Sequence, residues 1–231
     1  MTYNINKAKG WNFFQEKLID LENTIVKNDA DIVLLQEVVG LSTNRKILEA
    51  QFEKLADSIW SEYRYAKNCA YKNGHHGNAI LSRYPIKDFY QEDISTNRLE
   101  RRGVLYTKIN IFEDRSIHIY NLHLDLTQRG RRKQILKIKE MLKSHTPRDQ
   151  IIIAGDFNDW NVEINLSFEK MGFKEAGKVT SGHSFKTFPS LLPLLRLDRV
   201  YFKNLNLVDS LVLSGNKFSD HLPIVCEFYF N

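Results

Sequence analysis

Apolar residues recur along the chain with two spacings, one that suits helices and one that suits buried strands. Between positions 11 and 28 they return every three or four residues, which predicts a helix with one buried face. A second helix is predicted over 45–60 and a third, rich in basic residues, over 128–144. The inner faces of the first and third helices are formed by Trp11, Phe14, Leu18, Leu21 and Ile25, and by Ile135, Ile138, Met141 and Leu142.

Short apolar runs between turn residues predict strands. Residues 32–35 and 151–154 are apolar at every position, as in strands that are buried on both faces. Further strands are predicted over 63–70, 77–82, 103–112, 116–123, 197–202 and 222–229. Buried strands that alternate with helices, together with hairpin-like strands, indicate an α/β or α+β protein with central sheets. Because no linker-like tract or repeat interrupts the sequence, we expect one domain over 1–231.

Composition excludes several classes of protein. Hydrophobic residues make up 42% of the chain and charged residues 26%, which rules out a disordered, collagen-like or coiled-coil protein. Cys69 and Cys226 are too few for a disulfide framework and lack metal-ligand spacing, so we expect both in the core. No apolar run reaches the ~18 residues of a membrane span, and the first residues do not resemble a secretory signal. We therefore expect a cytoplasmic protein, and a monomer.

The charge balance favours an anionic partner. The 33 Lys and Arg residues exceed the 28 Asp and Glu residues, which gives a net charge of +5. Such an excess attracts polyanions without distinguishing a nucleic acid from a phospholipid surface.

Six short polar segments adjoin the predicted strands, at 2–5, 35–37, 121–124, 155–159, 197–199 and 219–221. Taken singly, each carboxylate here reads as a solvated turn residue, and His123 as a structural histidine. Together they supply carboxylate and amide oxygens without cysteine, a donor set that suits Mg²⁺ or Mn²⁺ better than Zn²⁺ or copper. An imidazole held by a carboxylate can take a proton from water, and a second can stabilise phosphoryl charge. A metal site, a general base and a charge-stabilising imidazole are the groups that the hydrolysis of a phosphate ester requires.

The order of these segments resembles the endonuclease/exonuclease/phosphatase family, also called deoxyribonuclease I-like. The most specific matches are Gln36-Glu37, Gly77-Asn78-Ala79-Ile80-Leu81-Ser82, Gly155-Asp156-Phe157-Asn158 and Ser219-Asp220-His221-Leu222-Pro223. The resemblance extends from Asn4 to His221 and implies a metal-dependent phosphoric ester hydrolase. It also implies a four-layer α/β/β/α sandwich, with two central, mostly antiparallel sheets flanked by helices.

The resemblance implies a metal site of oxygen ligands. Glu37 is its principal Mg²⁺ ligand, with Mn²⁺ as a possible substitute, and Asn4 and Asp220 complete or border the site. Asn6 is either part of the outer shell of this site or an ordinary polar loop residue.

The resemblance also implies the catalytic roles. His221 is the general base or a phosphate-contacting histidine, and Asp198 orients it. Asp156 positions the attacking water and Asn158 holds a phosphate oxygen. His123 stabilises or protonates the leaving oxygen, and which histidine acts as acid or base stays open.

Other residues are weaker candidates. Arg102 and Asn78 are predicted to bind substrate, although Arg102 is equally compatible with a solvated charge at a strand edge. His75 and His76 are expected to be solvated loop residues beside the Gly77 block. A basic run could meet a polyanion or form an ordinary solvated helix face; it consists of Arg129, Arg131, Arg132 and Lys133.

The prediction of the substrate class depends on how the segment 187–198 is interpreted. Its prolines disfavour a helix or central strand, so its leucines either line a loop beside the site or fold back onto the core. An apolar loop over 188–197 would allow peripheral contact with a membrane or an acyl chain. The segment is similar to a small bacterial subgroup discussed alongside cardiolipin synthase, which slightly favours a phospholipid-related or other small phosphodiester. A DNA endonuclease or exonuclease, and a non-catalytic nucleic-acid or lipid-binding module, are the alternatives.

Overall fold

The computed structural model of the chain describes residues 1–8, 14–42, 53, 59–71, 74–97, 101–113, 115–161, 163–215 and 218–230. Its strands are β1 (Thr2–Asn4), β2 (Ile32–Ser42), β3 (Glu62–Tyr71), β4 (Gly74–Ser82), β5 (Ile86–Asp93), β6 (Gly103–Phe112), β7 (Arg115–His123), β8 (Gln150–Asp156), β9 (Lys174–Glu175), β10 (Asp198–Lys203), β11 (Asn206–Val212) and β12 (Ile224–Tyr229). Its helices are α1 (Phe14–Lys27), α2 (Gln128–Leu142), α3 (Glu163–Glu169) and α4 (Ala176–Ser181), with a short 3-10 turn at Asn6–Ala8.

These strands form two six-stranded sheets. The first sheet has the order β11-β12-β1-β2-β4-β3 and the second has the order β5-β6-β7-β8-β10-β9. Most neighbours are antiparallel, and the parallel pairs are β1 with β2 and β7 with β8. With α1 on one outer side and α2 on the other, this is the expected four-layer sandwich of two mostly antiparallel sheets.

Successive side chains of the central strands enter different layers of the core. In β2, Val33 and Leu35 pack with α1, while Leu34 packs between the two sheets. In β8, Ile151 and Ile153 face α2, while Ile152 and Ala154 face the first sheet. A strand with a core on each side must be apolar at consecutive positions, which explains the uninterrupted runs in the sequence.

The predicted elements correspond closely to these. The helix over 11–28 becomes α1, with Leu21 and Ile25 buried, whereas Trp11 lies outside the described residues. The helix over 45–60 falls almost wholly outside them, and positions 59 and 60 are not helical. β1, β5, β9 and β11 escaped prediction, because β1 and β9 have only three and two residues and β5 is largely exposed. No helix among the described residues is long and apolar enough to cross a membrane.

The two cysteines are free thiols, and neither is fully buried. The expectation that both lie in the core was therefore wrong. Cys69 is on β3 at the edge of the first sheet, and Cys226 is on β12, next to the opposite edge strand. The edge position leaves one side of Cys69 open, whereas Cys226 is partly buried and packs against the core between the sheets.

Candidate active site

Three of the predicted site residues meet at one end of the second sheet because of strand register. His123 ends β7 and pairs with Asp156, which ends the parallel strand β8. Asp156 pairs on its other side with Asp198, the first residue of the antiparallel strand β10. His123 and Asp198 are 75 positions apart in the sequence. In the sheet they lie on either side of Asp156, on three adjacent strands. The Nε2 atom of His123 lies 3.4 Å from Asp156 Oδ2.

The first sheet contributes Asn4, at the end of β1. Its Nδ2 donates to Asp156 Oδ2 at 2.9 Å, while its Oδ1 accepts from the backbone N of Asn6 at 3.0 Å. Asn158 adds a second donor to Asp156, since its backbone N lies 2.9 Å from Oδ1. The φ of 49° at Asn158 curls the chain back toward the carboxylate, and its side chain donates to Leu124 O at 3.0 Å. Both oxygens of Asp156 are therefore held in place.

His221 approaches from the loop between β11 and β12. Its Nδ1 lies 2.8 Å from Asp198 Oδ2, and its Nε2 is 3.8 Å from Asp156 Oδ2. The hydroxyl of Thr187 donates to the same oxygen of Asp198 at 2.6 Å. The ring of Phe188 packs on the imidazole at a centroid distance of 4.9 Å. The position and the plane of the His221 ring are thus fixed from two sides.

Burial and neighbouring charges shift the acid–base properties of these groups. Burial acts to lower the pKa of His221, but the carboxylates of Asp198, Asp156 and Asp220 outweigh it and raise the pKa to about 10. Burial raises the pKa of Asp156 to about 6, despite the opposing charge of His221. These neighbours therefore favour a charged imidazole at Asp198 and make Asp156 a better proton acceptor than an exposed carboxylate.

His123 is in a different state because Arg102 faces it. Arg102 Nη1 lies 3.2 Å from His123 Nδ1, and a guanidinium can only donate hydrogen bonds. The Nδ1 atom must accept, so the proton of the neutral ring is on Nε2 and points toward Asp156. Burial, with the charge of Arg102, lowers the pKa of His123 well below its ordinary value. His123 is consequently a neutral hydrogen-bond donor.

The oxygen-rich side of the site suits a hard divalent cation. Asp156, Asp198 and His221 have donor atoms within 4.8 Å of one another, and Asp198 Oδ1 is buried without a hydrogen-bond partner. Glu37, at a left-handed φ of 55°, is only partly buried and lies 3.3 Å from Lys7 Nζ. Carboxylates together with amide oxygens are the donors that Mg²⁺ and Mn²⁺ take.

The family assignment follows from comparison with known proteins. A model described as "Endonuclease/Exonuclease/phosphatase family" matches residues 1–221. The chain belongs to this family. It is therefore a phosphoric ester hydrolase, and the enzymes of the endonuclease/exonuclease/phosphatase family depend on a divalent metal.

Individual relatives agree with the family assignment. YbhP of Escherichia coli strain K12 is 36% identical over 97% of this chain and 94% of its own length. A family protein from Leptotrichia buccalis superposes with a TM-score of 0.78 at 21% identity, covering 99% of this chain and 98% of that one. D. rerio TDP2, solved with a single-strand DNA product, has a TM-score of 0.78 at 16% identity, with 99% and 97% of the two chains covered. The two solved structures support the fold.

Asn78, from the most specific block of the endonuclease/exonuclease/phosphatase family, lies in a layer of buried amides between the sheets. Its Nδ2 donates to Gly103 O at 3.1 Å and Asn121 O at 3.3 Å, which ties β4 to the second sheet. Gln36 Nε2 donates to Asn121 Oδ1 at 2.8 Å in the same layer. The amide N–H groups of Asn78 thus connect the two sheets, and the contact of this residue with substrate stays a prediction.

Other expectations are corrected by the structure. His75 and His76 are half-buried residues of β4 rather than solvated loop residues, and His75 Nδ1 lies 2.9 Å from Tyr65 OH. Burial, Lys7 and Arg102 lower the pKa of His76 to about 4, against the effect of Glu37, so this histidine belongs to the rim of the site.

The residues of the basic run, 129–133, differ in their exposure. Arg131 is buried and donates to Asp125 O and Leu126 O, so it cannot meet a polyanion. Arg129, Arg132 and Lys133 are exposed on α2. The face available to an anion is thus smaller than the sequence predicted.

Two functional candidates escaped sequence reasoning. Lys7 pairs with Glu37, and Thr187 supports Asp198. The only available signal was their position, since Lys7 follows the Asn4 segment and Thr187 opens the segment that leads to Asp198.

Proposed function

We propose that the chain is a Mg²⁺-dependent phosphoesterase, able to use Mn²⁺, that hydrolyses a phosphodiester or phosphomonoester. The observation that carries this proposal is the arrangement around Asp156, which Asn4, His123 and His221 surround within 3.8 Å of one carboxylate oxygen. A carboxylate held in this way can orient a water molecule and accept its proton as the oxygen attacks phosphorus. Glu37 would hold the Mg²⁺ ion, with Asn4 and Asp220 at its border, and the ion would supply positive charge for the phosphoryl oxygens.

Each side chain has a role that matches its hydrogen bonds. The new P–O bond forms while the ester P–O bond breaks, and the water proton passes to Asp156. His221, held by Asp198, contacts a phosphoryl oxygen through Nε2. His123 donates its Nε2 proton as a hydrogen bond to the departing oxygen. Asn158 keeps a second amide N–H for a phosphate oxygen, since one bond to Leu124 O uses only the first.

Arg102 completes the anion-binding side of the proposed site. Its guanidinium contacts His123 with one nitrogen, and a guanidinium at this position has the geometry and charge to bind a phosphate oxygen. The proposed site therefore combines carboxylates that would hold the metal with a cationic guanidinium that would bind the phosphate of the substrate.

Exposed leucines beside the site favour a phospholipid as substrate. Leu191, Leu192 and Leu194 are 84%, 65% and 56% exposed, so this loop does not fold back onto the core. The loop is anchored next to the proposed catalytic residues, since Ser190 N donates to Asp220 O at 2.7 Å. Apolar side chains at the border of a phosphate site can enter the acyl region while the headgroup reaches the metal.

A DNA substrate is the second candidate. D. rerio TDP2 shares the fold and was solved with a single-strand DNA product. Exposed basic residues on α2 offer an electrostatic surface for such a polymer.

A substrate panel tests these proposals. Purified protein is expected to cleave bis(p-nitrophenyl) phosphate, to lose this activity in EDTA, and to recover it with Mg²⁺ or Mn²⁺. His221→Ala and Asp156→Ala are expected to reduce kcat by ~10²–10⁴-fold. The exposed residues His183 and Asp88 provide matched controls as His183→Ala and Asp88→Ala.

Full activity of His221→Ala or Asp156→Ala would contradict the assigned roles. Phospholipid vesicles, plasmid DNA and single-stranded DNA at one Mg²⁺ concentration separate the two substrate classes. Nicking of the plasmid without lipid turnover would favour the nuclease.

A further inference from the structure

A second cluster of metal-binding side chains lies far from the proposed catalytic site. His118 is near the start of β7, His145 follows α2, and Asp149 directly precedes β8. The catalytic candidates His123 and Asp156 end the same two strands. At ~3.3 Å per residue, the five residues from His118 to His123 place the cluster ~16 Å away along the strand.

The three side chains point at a common centre. Asp149 Oδ2 lies 3.1 Å from His145 Nδ1 and 3.7 Å from His118 Nε2. All three donor atoms are within 4.8 Å of one another. A tetrahedral ion with bonds of ~2.0–2.1 Å has ligand atoms ~3.3 Å apart, so small side-chain movements would bring these atoms into ligand positions. The distance from His118 to Asp149 is too long for a hydrogen bond.

Hydrogen bonds on the far side of each imidazole hold this orientation. Tyr106 OH lies 2.8 Å from His118 Nδ1, and Tyr120 OH is hydrogen-bonded to His145 Nε2. Each histidine therefore keeps its other nitrogen for the centre of the cluster. Histidines that bind metals in proteins are usually fixed in this way through the second ring nitrogen.

The carboxylate is supported as well as the imidazoles. The backbone N of Thr146 donates to Asp149 Oδ2 at 3.0 Å, and its hydroxyl donates to Oδ1 at 2.6 Å. The side chains of His118, His145 and Asp149 are 13%, 7% and 24% exposed, so an ion could enter and keep a water ligand. Such a site has three protein ligands and one open position.

We propose that His118, His145 and Asp149 form a binding site for Zn²⁺ or a similar transition metal. Two nitrogen donors and one carboxylate suit Zn²⁺ and Co²⁺ better than Mg²⁺, in contrast to the oxygen donors of Glu37, Asn4 and Asp220. A bound ion would connect the end of α2 to β7 and β8, joining the helical layer to the second sheet.

Metal titration of the full chain tests this site. With Mg²⁺ in excess, Co²⁺ is expected to give the visible absorption of a four-coordinate ion at one equivalent. Zn²⁺ at about a hundredfold excess over its Kd is expected to raise Tm by ~5–10 °C. His118→Gln and Asp149→Asn should abolish both signals, whereas His183→Gln and the cleft variant His221→Gln should keep them.

A measurement on the unmodified chain covers the case in which a variant fails to fold. Zn²⁺ is expected to protect His118 and His145 from carbethoxylation by diethyl pyrocarbonate, and to leave the exposed His183 as reactive as before. Equal modification of all three histidines with and without Zn²⁺ would overturn the proposal. So would Co²⁺ absorption that survives in Asp149→Asn and disappears in His221→Gln.

Discussion

The side chain of Gln36, in the first sheet, donates to Asn121 Oδ1, in the second sheet, at 2.8 Å. Asn121 in turn donates to the backbone oxygens of Leu35 and Ala79 at 2.9 and 2.8 Å. All these groups are buried, and Asn121 lies two residues before His123. This amide layer therefore sets the distance between the strands that carry Asn4 and those that carry His123 and Asp156.

Replacing Asn121 with leucine is expected to weaken both the fold and the site. Asn121→Leu removes the hydrogen bonds that Leu35 O and Ala79 O accept and one bond of Gln36 Nε2, which keeps its bonds to Thr2 Oγ1 and Leu34 O. This loss should lower the free energy of unfolding by about 2–4 kcal/mol. Urea denaturation measures this loss, and kcat at a temperature where the variant is folded measures the effect on His123. Gln91→Leu, on the exposed strand β5, is the matched control. A variant as stable as the wild type would show that the amide layer is dispensable.

Thr187 is expected to act as a positioning residue for His221. Thr187→Val removes the hydroxyl that donates to Asp198 at 2.6 Å, so the carboxylate is free to turn away from the imidazole. We expect kcat to fall ~10–100-fold with little change in KM, and Thr187→Ser to restore most of it. Steady-state kinetics on a soluble diester measures whether kcat falls while KM stays nearly constant. A loss confined to stability, with kcat unchanged, would assign Thr187 a structural role only.

Much of the fold could be predicted from the sequence because its central strands are apolar on both faces. β2 and β8 each contact two cores, and their uninterrupted apolar runs were visible without any structure. β5 could not be found in the same way. It is mostly exposed, so its pairing with β6, rather than burial, specifies it.

The site was predictable where a residue ends a strand inside a family block, as His123 and Asp156 do. Asn78 was harder, because sequence order does not reveal whether a buried amide faces substrate or the opposite sheet. Lys7 was missed for a related reason: its ion pair with Glu37 depends on the left-handed turn at Asn6 and Lys7, and a lysine does not signal that conformation.

The ion pair between Lys7 and Glu37 is expected to weaken metal binding. The lysine ammonium lies 3.3 Å from Glu37 Oε2, and a cation that binds this carboxylate must displace it. Lys7→Met should therefore lower the half-saturating Mg²⁺ concentration by about 2–10-fold. Activity as a function of Mg²⁺ at saturating substrate measures this change. Lys143→Met, which removes the exposed pair with Glu140, serves as control.

Two results would contradict this role of Lys7. One is an unchanged Mg²⁺ dependence. The other is a rise in the KM for substrate alone, which would place the ammonium on the phosphate.

Asp125 is expected to contribute stability that depends on pH. Burial acts to raise its pKa, but hydrogen bonds from Thr96 and Thr127 outweigh burial and hold the pKa below its ordinary value. With the folded-state pKa below the unfolded one, this contribution is complete above pH ~4 and disappears as the pH falls through the folded-state value. Asp125→Asn should cost about 1–3 kcal/mol at pH 7.

Urea denaturation at pH 7, 5 and 3 measures that dependence. The difference between the wild type and Asp125→Asn should be constant from pH 7 to 5 and should shrink at pH 3. Asp88→Asn, at an exposed position of β5, should show no such difference. A stability difference between the two proteins that grows toward pH 3 would mean that the hydrogen bonds do not favour the charged form of Asp125.

The exposed leucines beside the site are expected to contribute to membrane binding and to have no effect on the rate of hydrolysis of a soluble substrate. Leu191→Ser combined with Leu192→Ser removes two apolar side chains that are 84% and 65% exposed, without touching the bonds of Ser190. Vesicle binding should fall ~10–100-fold, and phospholipid turnover at low lipid should fall with it. Hydrolysis of bis(p-nitrophenyl) phosphate should be unchanged.

Leucines elsewhere on the surface provide the control for this loop. Leu136 on α2 and Leu166 on α3 are 62% and 58% exposed, so Leu136→Ser with Leu166→Ser removes exposed apolar area from two helices rather than from the loop. Sedimentation with vesicles reports binding even when no lipid is cleaved. If both double variants bind vesicles as the wild type does, the loop is not a membrane contact, and the case for a lipid substrate loses its support while the phosphoesterase assignment stands.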